Sequence, residues 1–139
     1  YDAANHQKMS DVRAAKIDGI ANDIPLQSVS LGDQGGKLAV VGWGSTRGAI
    51  HQAVKRARAE DIDVSHVHID NIWPLPRNLE EVLNSYDNVI VAEMNKGQMN
   101  NLLRAQYLLD AHLLSKVSGQ PFKITEILDC IREQAGVSK

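Results

Sequence analysis

The fold is decided by the stretch Leu38-Ala39-Val40-Val41-Gly42-Trp43-Gly44-Ser45-Thr46. Its first four residues form a continuous apolar run, which is typical of a strand buried on both faces of a parallel sheet. After the glycine-rich turn, apolar residues recur at i, i+3, i+4 and i+7, in Ile50, Ala53, Val54 and Ala57. That spacing predicts an amphipathic helix. The stretch therefore predicts one strand–turn–helix unit of an α/β domain.

The same alternation continues towards the C-terminus. Residues 64–69 and 89–92 predict a second and a third strand. Helical stripes lie between and after these strands: Leu79, Val82, Leu83 and Tyr86, then Met99, Leu102, Leu103 and Tyr107, and, after a less certain segment, Ile124, Ile127, Leu128 and Ile131. Right-handed crossovers place such helices on both faces of a sheet. We therefore predict a three-layer α/β/α fold with a mostly parallel sheet.

The N-terminal quarter has a different pattern. Residues 5–20 carry Met9, Val12, Ile17 and Ile20 at spacings that favour one face of a helix. Residues 22–36 contain Pro25, Gly32, Gly35 and Gly36, which is typical of a linker. We predict a connecting helix and linker over residues 1–36 and a compact α/β domain over residues 37–139. The chain begins without a methionine, which suggests a fragment or a processed N-terminus.

The composition of the chain argues against several classes of binding partner. Fifteen Lys and Arg against seventeen Asp and Glu give a net charge of −2, so there is no electrostatic argument for nucleic acid or an anionic membrane. No apolar run approaches the roughly 20 residues that span a bilayer, and the first residues lack a secretory pattern. We expect a cytoplasmic protein. The single cysteine, Cys130, excludes an internal disulfide and any multi-cysteine zinc or iron–sulfur site within this chain.

The glycine-rich turn at residues 42–48 could hold a phosphate, because it joins a strand to a helix. Asp70, at the end of the second strand, could then serve as a ribose-binding acid. The spacing is G-x-G-x-x-x-G, however, and the bulky Trp43 lies inside the turn. Backbone geometry is therefore the favoured explanation of the glycines, and nucleotide binding is the alternative.

Two further groups could carry chemistry. His66 and His68 are two residues apart, so both side chains point to one face of a strand and could bind a metal. A third ligand is not evident, and histidines hydrogen-bonded at the sheet face are favoured. Cys130 lies on the apolar face of the last helix and is favoured as a small buried hydrophobe over a nucleophile.

Two loops are candidates for contacts or function. Residues 93–98 stand at the carboxyl end of a strand, the edge where open α/β sheets place their functional loops. The alternative is a strand end and a glycine turn before a helix that starts near Gln98. The stiff loop Trp73-Pro74-Leu75-Pro76 is predicted to be a contact surface. Its alternative is that Trp73 caps the core of this domain.

Four short motifs resemble a known family. They are Trp-Gly-Ser-Thr-x-Gly at residues 43–48, Trp-Pro-Leu-Pro at 73–76, Glu-Met-Asn-x-Gly-Gln at 93–98 and Gly-x-Pro-Phe at 119–122. Together with the helix at 102–108, they resemble the C-terminal domain of the alpha subunit of 2-oxoglutarate:ferredoxin oxidoreductase, of the 2-oxoacid:acceptor oxidoreductase family. The match runs from about Asn5 to Glu133. Two positions differ from the family. Arg47 stands where the family often has an aromatic residue, and Leu75 stands where it often has Phe.

The resemblance implies a domain like the C-terminal domain of transketolase, which follows a thiamine-binding pyrimidine domain in the same subunit. It implies a parent oxidoreductase that decarboxylates a 2-oxoacid to an acyl-CoA, with thiamine diphosphate, Mg²⁺ and iron–sulfur clusters, coenzyme A as co-substrate and ferredoxin as acceptor. The diphosphate and Mg²⁺ are expected in the beta subunit. No catalytic, cofactor-binding or metal-binding residue is expected in this chain, which alone is expected to be inactive.

By the same resemblance, the domain would serve assembly, packing against the remaining domains of the alpha subunit and against the beta subunit. Two other classes remain open: a free-standing nucleotide-binding protein and an adaptor domain that recognises other proteins. The candidate interface or functional residues are Trp43, Gly44, Ser45, Thr46, Trp73, Pro74, Pro76, Glu93, Asn95 and Gln98.

Overall fold

The computed structural model describes residues 2–137. Its strands are β1 (Gly36–Trp43), β2 (Val64–Ile69), β3 (Tyr86–Glu93) and β4 (His112–Ser115). Its helices are α1 (Ala3–Ile20), α2 (Arg47–Ala59), α3 (Leu79–Asn84), α4 (Gln98–Tyr107) and α5 (Ile124–Gln134), and a 3₁₀ turn (Gly44–Thr46) links β1 to α2. Strands thus alternate with helices from β1 to α4, as the sequence predicts, and a further strand, β4, precedes α5.

The four strands form one parallel sheet in the order β2-β1-β3-β4. From the central strand β1 the chain first moves outward to β2, and it then returns to the other side of β1 as β3. The direction of winding therefore reverses between β1 and β3. In open α/β sheets, functional crevices lie at the carboxyl ends of the strands at such a reversal.

Each face of the sheet has its own apolar core. On one face α2 and α5 pack against the strands, and on the other face α3 and α4 do so. Ala39, Val40 and Val41 of β1 are completely buried between the two layers, which explains why this strand is apolar at consecutive positions. The predicted three-layer α/β/α fold is confirmed.

Gly42 allows α2 to approach β1 closely. A Cβ atom at this position would lie 2.2 Å from Cδ1 of Ile50 and 2.6 Å from Oγ1 of Thr46. Since the chain turns into α2 immediately after β1, any side chain here would push the helix away from the sheet. Close packing between strand and helix therefore explains the first glycine of the turn.

Two details of the sequence interpretation are corrected. Tyr86 does not continue the helical stripe of Leu79, Val82 and Leu83, because α3 ends at Asn84 and Tyr86 opens β3. Its hydroxyl donates a hydrogen bond to the carbonyl oxygen of Asp33 at 2.6 Å. The uncertain segment before the last helix contains β4, which pairs with β3 and forms one edge of the sheet.

The N-terminal helix is present, but no residue of α1 is buried. Met9, Val12 and Ile20 are each more than 40% exposed and Ile17 is half-buried, so most of the predicted apolar stripe is exposed. Within residues 2–137, no helix is both long and apolar enough to cross a membrane.

The segment before β1 is in part attached to the sheet. The backbone N–H of Ser30 donates a hydrogen bond to the carbonyl oxygen of His66, and the N–H of His66 donates one to the carbonyl oxygen of Leu31. Both bonds are 2.8 Å long. Leu31 therefore forms a short antiparallel bridge along the outer edge of β2. The domain boundary between residues 36 and 37 stays a prediction.

Candidate functional site

A cleft of about 150 Å³ lies at the reversal of the sheet, between the turn after β1 and the loop after β3. Gly44, Ser45 and Thr46 line one side of it, and Met94 and Asn95 line the other. The fold thus brings together two of the loops that the sequence singles out. Their closeness follows from the pairing of β1 with β3, since parallel neighbours end at the same edge.

Glu93 lies beneath this cleft and is completely buried. Its carboxylate accepts hydrogen bonds from the indole Nε1 of Trp43 at 3.1 Å and from the backbone N–H groups of Met99 at 2.6 Å and Asn100 at 2.9 Å. The two backbone donors belong to the first turn of α4, whose N–H groups have no partner within the helix. Glu93 therefore caps α4 from the preceding strand and joins it to the end of β1.

Asn95 shapes the turn between β3 and α4. Its Oδ1 accepts hydrogen bonds from the N–H groups of Gly97 at 2.7 Å and Gln98 at 2.9 Å, while its carbonyl oxygen accepts from Oγ of Ser115 at 2.5 Å. Gly97 has a φ of 97°, in the left-handed region that favours glycine. The strand therefore ends at Glu93, a glycine turn follows, and α4 starts at Gln98. These are the features of the alternative interpretation, in which the segment is a structural turn.

The turn after β1 is closed by its own side chains. Oγ1 of Thr46 accepts from the N–H of Trp43 at 3.2 Å and donates to the carbonyl oxygen of the same residue at 2.9 Å. Thr46 is buried, whereas Gly44 and Ser45 are exposed at the mouth of the cleft. Oγ of Ser45 lies 3.7 Å from Sδ of Met94, so the two loops also touch across the cleft.

The loop with two prolines presents its aromatic residue outward. Trp73 is 68% exposed, so the alternative in which it caps the core is wrong. Pro76 is buried and Leu75 is half-buried against the core beneath α3 and α4. The loop is thus held by its C-terminal half, and Trp73 projects from a fixed base.

His66 and His68 lie on the same face of β2, as predicted, and both are buried. The ring of His66 lies 5.8 Å from that of His68 and 5.8 Å from that of His51 on α2, measured between centroids. The expectation that these histidines are hydrogen-bonded fails for His66, because neither of its ring nitrogens has a partner among the described residues, and Nδ1 of His68 has none either.

Burial has a large effect on these rings. It lowers the pKa of His66 to about 3, with smaller contributions from His68, His51 and Arg47, so the ring is neutral at physiological pH. Burial likewise lowers the pKa of His68, and Arg47 acts in the same direction. Within residues 2–137, no group of three or more His, Cys, Asp or Glu side chains is placed to hold a metal ion.

The two remaining candidate residues, Asp70 and Cys130, have contacts that give each of them a structural role. Asp70 forms an ion pair with Arg47 at 3.7 Å, with both side chains more than half exposed. Cys130 is buried on α5 in the core beneath α2, and burial raises the pKa of its thiol to about 11. Since the thiolate is the nucleophile, this cysteine is unreactive at neutral pH. The proximity of His51 to His66 was missed, because it depends on how α2 lies over β2.

Comparison with known proteins gives a consistent result. A family model described as pyruvate:ferredoxin oxidoreductase core domain II matches residues 36–127. The chain is 40% identical over 132 residues to the 2-oxoglutarate oxidoreductase subunit KorA of Mycobacterium tuberculosis. The aligned region covers 95% of this chain and 20% of that protein. The chain thus spans about a fifth of the length of this relative.

Solved structures also match. The 2-oxoglutarate:ferredoxin oxidoreductase of Magnetococcus marinus, solved with 2-oxoglutarate, coenzyme A and succinyl-CoA bound, superposes with a TM-score of 0.87 and 26% identity, over 97% of this chain and 24% of that one. A split-gene transketolase superposes with a TM-score of 0.62 and 16% identity, over 81% of this chain and 42% of that one. The second match concerns the fold alone.

Proposed function

The chain belongs to the pyruvate:ferredoxin oxidoreductase core domain II family, and we propose that it is the C-terminal assembly domain of the alpha subunit of a 2-oxoacid:ferredoxin oxidoreductase. The observation that carries the proposal is the 40% identity to the mycobacterial subunit across 95% of this chain. The match to the Magnetococcus oxidoreductase over 97% of the chain supports it independently.

The proposed substrate of the whole enzyme is 2-oxoglutarate, which it would decarboxylate oxidatively to an acyl-CoA while reducing ferredoxin. The relative and the solved structure named above are both 2-oxoglutarate enzymes. The alpha subunit of 2-oxoacid:ferredoxin oxidoreductase from Saccharolobus solfataricus, at 30% identity, is less similar. The 40% identity to the mycobacterial 2-oxoglutarate enzyme, against 30% to this subunit, favours that substrate over other 2-oxoacids.

The proposed role of this domain is to hold the enzyme together. Glu93 and Asn95 both direct their side-chain oxygens to backbone N–H groups at the start of α4, so these polar groups stabilise the fold. Trp73, in contrast, exposes a large apolar surface on a loop whose base is buried. Aromatic side chains on rigid supports are common centres of protein interfaces. We propose that Trp73 and Pro74 contact the beta subunit, and that the buried Pro76 supports them from within the domain.

The loops that line the cleft at the sheet reversal are proposed as a second contact region. Gly44 and Ser45 are exposed there, and Gln98 follows at the start of α4. Trp43 and Thr46 support this surface from below through the hydrogen bonds described above. The remaining domains of the alpha subunit are the proposed neighbours of this region.

The cofactors of such an enzyme do not fit the residues of this chain. An iron–sulfur cluster needs several cysteine ligands, whereas this sequence has one cysteine, buried on α5. The carboxylate of Glu93 is occupied by its three donors and is not free to bind Mg²⁺. We propose that thiamine diphosphate, Mg²⁺, the clusters and the coenzyme A site belong to other parts of a cytoplasmic complex, and we assign no chemical step to this domain.

Co-purification tests the proposal. The alpha subunit that carries this domain is expressed with its beta subunit, and the purified material is analysed for subunit ratio, thiamine diphosphate and iron. We expect a stable complex that contains both cofactors. An alpha subunit that elutes alone under all conditions, with a beta subunit that holds neither cofactor, would contradict the proposal.

A further inference from the structure

A depression of about 430 Å³ lies between the start of α2 and the outer edge of β2. Its lining includes Ser28, Ser30, Arg47, His51, Gln52 and His66. We propose that this depression, called the His66 depression below, binds the phosphate group of a small ligand, with His66 donating a hydrogen bond to it and Arg47 supplying positive charge.

His66 provides the observation that points to a ligand. The residue has no exposed surface, yet neither Nδ1 nor Nε2 has a hydrogen-bond partner within the described residues. Buried polar atoms nearly always have partners, because they lose their bonds to water on burial. A neutral imidazole offers one N–H donor and one acceptor nitrogen. A protonated phosphate carries both oxygen acceptors and an O–H donor, so it can bond to whichever ring nitrogen faces the depression.

The charges around the depression favour an anion. Arg47 is the first residue of α2, and its guanidinium lies at the positive end of the helix dipole. Among the described residues, no acidic side chain lines the depression. Asp70 pairs with Arg47 at 3.7 Å, and both side chains are more than half exposed. A bound phosphate would therefore compete with Asp70 for Arg47.

The other lining groups suit oxygen atoms. Oγ of Ser30 accepts a hydrogen bond from the N–H of His68 at 3.3 Å, which leaves its own hydrogen to donate. Gln52 is exposed at the rim, where its amide has two donors. A metal ion suits the depression less well, because a cation would be repelled by Arg47 and would find no carboxylate in the lining.

Titration of the full chain tests this proposal, with isothermal calorimetry and the ¹⁵N signals of the His66 ring as readouts. The ligands are inorganic phosphate, glycerol 3-phosphate and glycerol. We expect both phosphates to release heat and to shift the His66 signals, and glycerol to do neither. Tighter binding of inorganic phosphate would identify a free-phosphate site, and tighter binding of glycerol 3-phosphate would identify a site for an organic phosphate ester.

Variants at three exposed positions test the role of charge, and the melting temperature of each checks that it is folded. Arg47→Gln should weaken phosphate binding about tenfold, the typical worth of a charge-assisted hydrogen bond. Asp70→Asn should strengthen it several-fold, because it frees Arg47. Arg56→Gln makes the same charge change on an exposed position of α2 and should leave binding unchanged.

Three results would overturn the proposal. The first is the absence of both heat and a shift of the His66 signals on addition of phosphate. The second is binding of glycerol as tight as that of its phosphate, and the third is a loss of binding in Arg56→Gln equal to that in Arg47→Gln. None of these results bears on the co-purification of the subunits, so the proposed function is tested separately.

Discussion

The indole Nε1 of Trp43 donates a hydrogen bond to the buried carboxylate of Glu93 at 3.1 Å, which ties the end of β1 to the end of β3. The two strands are neighbours at the point where the winding of the sheet reverses. The same carboxylate caps α4 through two backbone N–H groups. One side chain thus fixes the relative positions of the two loops that line the cleft.

Glu93→Gln is expected to destabilise the chain by about 3 kcal/mol, because an amide nitrogen would face N–H donors in place of a carboxylate oxygen. The measurement is the free energy of unfolding in urea. Glu81→Gln is the matched control, since Glu81 is exposed in the first turn of α3 and its loss should cost no more than about 0.5 kcal/mol. Equal effects of the two substitutions would contradict the capping role of Glu93.

Gly42→Ala is expected to cost about 1–3 kcal/mol, the usual range for overpacking. The added methyl group would collide with Cδ1 of Ile50, so Ile50→Val in the same chain should recover part of the loss. Gly48→Ala serves as the control, because a Cβ there meets open space. Urea unfolding of Gly42→Ala, Ile50→Val, the double variant and Gly48→Ala measures the coupling, and strictly additive losses would show that the close approach is not the cause.

Stability should depend on pH through His66. Its folded pKa of about 3 lies below the ordinary value of 6.5, so the unfolded chain binds the proton more tightly. The contribution of the neutral ring is therefore fully present above pH 6.5 and is lost as the pH falls towards 3. Each pKa unit corresponds to about 1.4 kcal/mol.

His66→Gln separates this effect from the titration of carboxylates. The measurement is the difference in unfolding free energy between the original chain and the variant, from pH 7.5 to 4 in a phosphate-free buffer. We expect the difference to shrink as the pH falls below 6.5. A difference that stays constant over this range would show that His66 titrates alike in the folded and unfolded chains.

Much of the fold follows from the sequence, because β1 and β3 are buried on both faces and so are apolar at consecutive positions. The short strand β4 could not be predicted in the same way. It is an edge strand of four residues, with His112 and Ser115 exposed, so it has neither a long apolar run nor a clear alternation. Tyr86 was misassigned because its spacing continues the stripe of α3.

The candidate sites depend on contacts between distant residues, which local patterns do not contain. The sequence places Glu93 at the end of a strand, but its burial depends on the indole of Trp43 and on the start of α4. The pair His66 and His68 follows from the two-residue period of a strand. The lack of partners for His66 depends on the groups that α2 places over β2.

Trp73→Ala is expected to weaken association of the alpha subunit with the beta subunit by roughly 2 kcal/mol or more, as truncation at the centre of an interface does. The melting temperature of the 139-residue chain should barely change, because Trp73 is 68% exposed. Leu26→Ala, at a second exposed apolar position, is the matched control. Unchanged association in a titration of the two subunits would show that the contact surface does not include Trp73.

The most direct test of the account is the 2-oxoacid-dependent reduction of ferredoxin by the complex that contains this domain. The rate is measured in the presence of coenzyme A with 2-oxoglutarate, pyruvate and 2-oxoisovalerate as alternative substrates. We predict that kcat/KM is highest for 2-oxoglutarate, by about tenfold or more, since pockets discriminate strongly when they bind a polar group that the competitor lacks. If none of the three 2-oxoacids supports reduction of ferredoxin by an intact, cofactor-loaded complex, the account is contradicted.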